Sequence, residues 1–152
     1  RSRGRERGVA VEMLMGFRTA EAALMVREAT ALGASVEVAT DDGTLGRRGP
    51  VPVLLDGRLT AGVRVAACGP EPMLVAVACR CVAERIPCEV SLERYMKCGI
   101  GVCGSCCMDD AGLRVCIEGP VVDAAEALSL GEFGKYARGP SGLVKKEEGN
   151  RA

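Results

Sequence analysis

The stretch "CGIGVCGSCCMDDAGLRVC", from Cys98 to Cys116, holds five of the nine cysteines of the chain. A loop so dense in thiols is built either to be cross-linked or to hold a metal. The sequence contains no histidine, which excludes a Rieske centre and any zinc site that uses an imidazole. An odd number of cysteines argues against a complete disulfide framework. The first residues, "RSRGRERG", are charged and carry no apolar core of a secretory signal, which points to a reducing, cytoplasmic setting where thiols stay free or bind metal.

Spacing narrows the choice. Cys98, Cys103 and Cys106 stand in a C-x4-C-x2-C pattern with Cys116 available as a fourth ligand, the arrangement of plant-type [2Fe-2S] loops. Two bridged irons need four thiolates, and a loop wrapped tightly round them needs residues without Cβ. Gly99, Gly101 and Gly104 lie between the ligands and can turn backbone N–H groups toward sulfur. "MDDAGLRV" between Cys106 and Cys116 reads as a hairpin turn with Gly112 near its tip.

Rival readings use the same letters. A structural zinc held by four cysteines is the most serious, although such sites favour paired C-x2-C spacings. "CGSC" matches a dithiol redox motif, but that motif needs no third and fourth cysteine. "GIGVCG" is literally G-x-G-x-x-G, yet it lacks the preceding apolar strand and has a cysteine inside it. Cys107 reads as a bystander packed under the loop, and Cys79, Cys81 and Cys88 as small apolar residues of a helix and a strand.

Upstream the periodicities are those of an α/β chain. "VAVEMLM" (9–15) reads as a buried strand. A helix follows with Thr19 as N-cap and Gly33 as its stop, and "SVEVAT" (35–40) is an alternating strand that runs into the turn Asp41-Asp42-Gly43. That is a parallel βαβ unit. Residues 44–62 are rich in Gly and Pro, with at most one short helical turn in "VPVLLDG". "VRVAAC" (63–68) is a strand, followed by a helix with Pro72 in its first turn and Met73, Val77 and Val82 among its apolar positions, then the strand "CEVSL" (88–92). From Gly131 the chain turns polar and reads as a mobile tail.

Twenty basic residues balance twenty acidic ones, which argues against nucleic acid or an anionic membrane as the main partner. No apolar run approaches the ~20 residues of a membrane span. The chain begins at Arg1 and its apolar pattern starts abruptly at Val9, as expected for the C-terminal part of something longer.

The segments "CGPEPML" (68–74), "EVSLERYMKCGIGVCGSC" and "RVCIEGPVVDAAE" resemble the C-terminal half of the electron-transfer subunit of class 1B dihydroorotate dehydrogenase. "GFRTAEAAL" and "VATDDGTLGRRGPV" are similar to the nucleotide-binding lobe of that family, part of the ferredoxin-reductase superfamily. The resemblance implies a partial parallel-sheet lobe of NAD-binding type over 9–92 and a small [2Fe-2S] domain over 93–130; the basic end over 1–8 and the polar tail over 131–152 are read from composition alone. It also implies a function. An FMN-containing catalytic subunit, joined with this one in a heterotetramer, would oxidise dihydroorotate in pyrimidine biosynthesis. Electrons would pass through the [2Fe-2S] cluster to FAD and then NAD+.

Carried over by position, Cys98, Cys103, Cys106 and Cys116 are the cluster ligands. Cys68, Gly69, Pro70 and Met73 mark the strand end where the nicotinamide approaches the flavin, and open α/β sheets bind ligands at such ends. The plainer reading of Cys68 is a small buried residue. Arg18 could meet cofactor phosphate or adenosine, or simply be solvated. The flavin-binding barrel of the family, its Arg-x-Tyr-Ser/Thr motif and its Gly-rich loop have no counterpart here, so this chain alone is expected to bind FAD and NAD poorly. Two other functions fit less of the pattern. One is the small subunit of an NAD(P)H:ferredoxin oxidoreductase, a group with aspartate at one cluster position. The other is a zinc-stabilised, non-enzymatic binding module.

Overall fold

In the computed structural model, residues 8–108 and 111–146 are described; the basic end 1–7, Asp109 and Asp110 of the hairpin, and residues 147–152 of the tail lie outside them. The chain divides into two compact units, Arg1–Arg58 and Leu59–Ala152.

The first unit is built on parallel pairing. Strand β1 (Glu12–Phe17) pairs with β2 (Ser35–Thr40), Glu12 opposite Ser35 and Phe17 opposite Thr40, and β2 pairs in parallel with the short β3 (Arg47–Arg48). β1 therefore begins and ends later than the apolar run 9–15 suggests. The expected helix from Thr19 is interrupted: a 3-10 turn at Ala20–Ala22 precedes helix α1 (Val26–Ala31), and Thr19 makes no side-chain cap. The reason lies in a distant turn. Asp42 Oδ1 accepts hydrogen bonds from the amide and hydroxyl of Thr44, and the Ala20 amide donates to the Thr44 hydroxyl at 2.8 Å. The N–H that a local cap would satisfy is thus satisfied from the end of β2. "VPVLL" forms a 3-10 turn at Val51–Leu55 that buries Leu54 and Leu55. Arg58 closes the unit, with its guanidinium donating to Glu12 on β1, Glu37 on β2 and the Leu54 carbonyl.

In the second unit, β4 (Val65–Cys68) and β5 (Cys88–Ser91) are parallel, Val65 opposite Cys88, and are joined by helix α2 (Glu71–Ala83). Pro70 precedes the helix and Pro72 sits in its first turn, where a missing N–H costs nothing. Leu74, Val77, Ala78 and Cys81 fall at helical spacing and are all buried. Burying Leu74 contributes ~1.5–3 kcal/mol, and its truncation to Ala would cost about 2–5 kcal/mol. Val82 lies off that face and is exposed, contrary to its place in the apolar pattern, and Cys79 is exposed as well.

The rest of this unit includes the expected hairpin and further elements that the sequence pattern left open. A two-stranded hairpin joins β6 (Cys107–Met108) to β7 (Leu113–Arg114). Strand β8 (Val121–Asp123) adds antiparallel to β5, and Asp123 caps helix α3 (Ala124–Ser129) by accepting from the Ala125 amide at 2.8 Å. Beyond Gly131 the chain is not a loose tail as far as residue 146: Glu132 and Phe133 are buried, and β9 (Tyr136–Arg138) pairs antiparallel with β10 (Val144–Lys146). No helix among the described residues is long and apolar enough to cross a membrane.

Candidate metal centre

Leu92, buried at the end of β5, is fixed by its amide donating to the Pro120 carbonyl at 2.8 Å, and from there the chain runs into the cysteine loop. Gly99, Gly101 and Gly104 all adopt positive φ, near 70°, as the requirement for a tight wrap predicts. The hairpin explains the second spacing. Cys107 pairs with Arg114, the Val115 amide donates to the Cys106 carbonyl at 3.2 Å, and Cys116 follows one residue later. Met108 and Val115, both fully buried, anchor the two arms, and Gly112 turns with positive φ.

The thiols come together two and two. Cys98 and Cys103 are close neighbours, as are Cys106 and Cys116, with Cys98 also near Cys116. Cys103 lies at the surface and Cys106 is buried, with Cys98 and Cys116 between. Backbone N–H groups point at sulfur: those of Ile100, Cys103 and Val102 at Cys98, that of Ser105 at Cys103, and that of Gly101 at Cys116. The Ser105 hydroxyl, 3.4 Å from the Cys103 sulfur, and then the Ser105 amide hold that thiol down to about 6. The Ile100 amide, then that of Cys103, lowers Cys98. Cys116 is raised by its hydrogen bond with Cys106 and by desolvation.

Among the described residues, no three His, Cys, Asp or Glu side chains converge tightly enough to hold one metal ion. Two pairs of thiols with amides near sulfur offer the four thiolates and the hydrogen-bond donors that a two-iron cluster would use.

Arg114 ties the two cysteine-bearing segments together. Its Nη1 donates to the Gly101 carbonyl at 3.4 Å, while its Nε and backbone amide donate to the Glu118 carboxylate. Arg114 and Glu118 were not singled out by sequence, although the i, i+4 spacing of opposite charges was there to be read. Cys107 is half-buried on β6. Ile100 and Val102 are 70% and 80% exposed, an apolar rim on the loop.

The remaining candidates sit elsewhere. Cys68 ends β4 and is exposed rather than buried, Gly69 follows with positive φ, Pro70 precedes α2 and Met73 is half-buried on it. Arg18, in the first unit, follows β1 and is exposed.

Residues 93–128 match the family described as the iron-sulfur cluster binding domain of dihydroorotate dehydrogenase B. Along most of its length the chain also matches proteins named "Probable dihydroorotate dehydrogenase B (NAD(+)), electron transfer subunit". The relative from Methanothermobacter thermautotrophicus is 44% identical over 137 residues, covering 90% of this chain and 51% of the relative. That from Methanocella arvoryzae is 48% identical over 143 residues, covering 92% and 55%. Over most of its length the chain is similar to dihydroorotate dehydrogenase B electron transfer subunits. It spans about half the length of the relatives it matches. Outside the dihydroorotate dehydrogenase B family, a solved structure of an NADH-dependent reduced ferredoxin-NADP oxidoreductase, described for flavin-based electron bifurcation, superposes with a TM-score of 0.66. The two are 25% identical, over 80% of this chain and 45% of that one. The α/β architecture with parallel strand pairs is therefore reductase-like.

Proposed function

We propose that this chain is the cluster-bearing portion of a dihydroorotate dehydrogenase B electron transfer subunit. In this reading Cys98, Cys103, Cys106 and Cys116 hold a [2Fe-2S] cluster, and residues 93–130 form the domain that carries it. The observation that supports it is the two-by-two grouping of thiols inside a loop whose amides point at sulfur. When bound, such a cluster supplies one-electron transfer between partners. The part of the protein is to supply thiolates, aim hydrogen bonds that tune potential, and keep the buried side of the loop dry.

The wider assignment follows the names of the relatives. Electrons from an FMN-containing catalytic subunit that oxidises dihydroorotate would reach FAD and NAD+ through this subunit, in a cytoplasmic heterotetramer. The contribution of this chain to nucleotide binding is then the Cys68–Gly69–Pro70 turn with Met73 in the second unit, and Arg18 in the first, within a lobe spanning about 9–92 of the sequence. The exposed rim of Ile100 and Val102 would face the partner.

The deciding experiment is anaerobic purification with iron, zinc and acid-labile sulfide analysis and an absorption spectrum. About two irons and two sulfides per chain are expected for this cluster type. One zinc without sulfide would overturn the assignment. A second reading, a ferredoxin-linked oxidoreductase subunit, is favoured by the solved neighbour. Reduction of the cluster by ferredoxin, and not by a dihydroorotate-oxidising partner, would select it.

A further inference from the structure

Three ionisable side chains meet away from water in the second unit. Arg94, Glu71 and Glu132 have side chains 3%, 5% and 2% exposed. Arg94 Nη1 donates to Glu71 Oε1 and, at 2.7 Å, to the Glu93 carbonyl, while its Nε donates to Glu132 Oε1 at 3.4 Å. Glu71 Oε2 accepts from the Gly134 amide at 2.8 Å. Gly134 has positive φ, and a Cβ there would lie 2.5 Å from Val75 Cγ2, so its segment is pressed against α2. Among the described residues, Arg94 Nη2 is the buried side-chain nitrogen left without a hydrogen-bond partner.

Stability does not account for this arrangement. Two carboxylates share one guanidinium whose fork is not filled, each buried ion costs several kcal/mol to desolvate, and well-packed apolar residues in such places are often neutral or better. What the cluster does is join segments. Glu71 is the first residue of α2, directly after Cys68, Gly69 and Pro70. Arg94 lies just past β5, four positions before Cys98. A planar guanidinium holds two carboxylates at a fixed separation and angle, which a flexible ammonium cannot do. Glu71 also gains from the positive end of α2 beneath it.

We propose that Arg94 is a positioning residue: clamped by Glu71 and Glu132, it fixes the Cys68–Pro70 turn relative to the segment entering the cysteine loop. On the electron-transfer reading above, on which this meaning rests, it sets the separation between the redox group approaching that turn and the cluster. Electron-transfer rates fall steeply with separation, so a clamp that adds nothing to stability still governs rate.

The test compares Arg94→Lys and the charge-free triple variant Glu71→Gln/Arg94→Met/Glu132→Gln with the parent chain. All carry Cys79→Ser and Cys107→Ser, with a nitroxide on Cys68. Pulsed EPR reads the distance distribution from that spin to the reduced cluster. Both variants are expected to keep their iron and sulfide, while the distribution broadens about twofold as the rigid fork is lost. Amide exchange at Gly69, Met73 and residues 96–99 is expected to rise about tenfold, with the β4 and β5 amides unchanged. An unchanged distribution overturns the proposal. So does a uniform rise in exchange across the unit, the signature of stabilisation alone. If the parent holds no cluster, the electron-transfer reading fails by itself, and the exchange pattern still decides whether Arg94 couples the two segments.

Discussion

Ile117 closes the space beside Gly101 between the two cysteine-bearing segments: a methyl group placed on Gly101 would lie 2.7 Å from Ile117 Cγ1. Gly99 has a similar backbone conformation with open space around it. The two glycines therefore separate backbone strain from crowding. Gly99→Ala should cost about 1 kcal/mol through its positive φ alone. Gly101→Ala should add a clash and lower cluster occupancy well below that of Gly99→Ala. Introducing Ile117→Ala beside Gly101→Ala should recover the Gly99→Ala level in an iron and sulfide assay, and no recovery would show that the contact is not what matters.

Serine at Cys98, Cys103, Cys106 or Cys116 should abolish or reshape the visible absorption of the cluster. Cys107→Ser should leave it intact, because Cys107 sits on β6 with its sulfur near the Met108 carbonyl. A Cys107→Ser protein without the cluster spectrum would mean the ligand set has been misassigned.

The rim residue Ile100 should matter to a partner and not to the cluster. On the function proposed above, replacing it by Glu is expected to weaken association with a dihydroorotate-oxidising catalytic subunit by about tenfold or more, as loss of an exposed apolar anchor does at interfaces, with the absorption spectrum unchanged. Titration calorimetry of the two subunits checks it, and equal affinity would remove this face from the interface.

Thiol reactivity should split by burial. Burial, then the neighbouring Cys81, pushes the Cys88 thiol up to about 12, and burial raises Cys81 as well, so burial disfavours the thiolate at both. Cys68 and Cys79 are exposed. Alkylation at pH 8 followed by peptide mapping should mark Cys68 and Cys79 in the native protein and leave Cys81 and Cys88 untouched until the chain is denatured.

Acid should loosen the turn after β2. The Thr44 hydroxyl, then its amide, lowers the Asp42 carboxyl below its ordinary 3.8. A carboxyl depressed in the folded state stabilises the fold above its unfolded value and loses that contribution as pH falls through the folded one. The Thr44 amide resonance should follow this titration with a midpoint below 3.8, and the Ala20 amide should lose protection with it. A midpoint at or above the ordinary value would mean the hydrogen bonds are not held in solution.

What the sequence made legible was local. The strand over 35–40 alternates and is bracketed by Gly33 and by Asp42-Gly43, so both ends were readable. The cysteine spacing and the glycines between the ligands carried the wrap of the loop. The helix expected from Thr19 failed because the hydroxyl that serves the Ala20 amide lies 24 residues on, at Thr44. α3 was readable and went unread: Asp123 with Glu126 three residues later is a helix-start pattern. Arg94 was not readable, since a charged residue beyond a strand looks solvated until Glu71 and Glu132 are brought against it.

Cys81 on α2 and Cys88 on β5 bond to each other inside the second unit without a covalent link. During iron delivery every free thiolate competes for the metal, and a chain with nine thiols offers many wrong pairings. Buried in the folded unit, these two are withheld from that competition, so a chain that took up iron after folding would have fewer wrong thiols to choose from than one that took it up before.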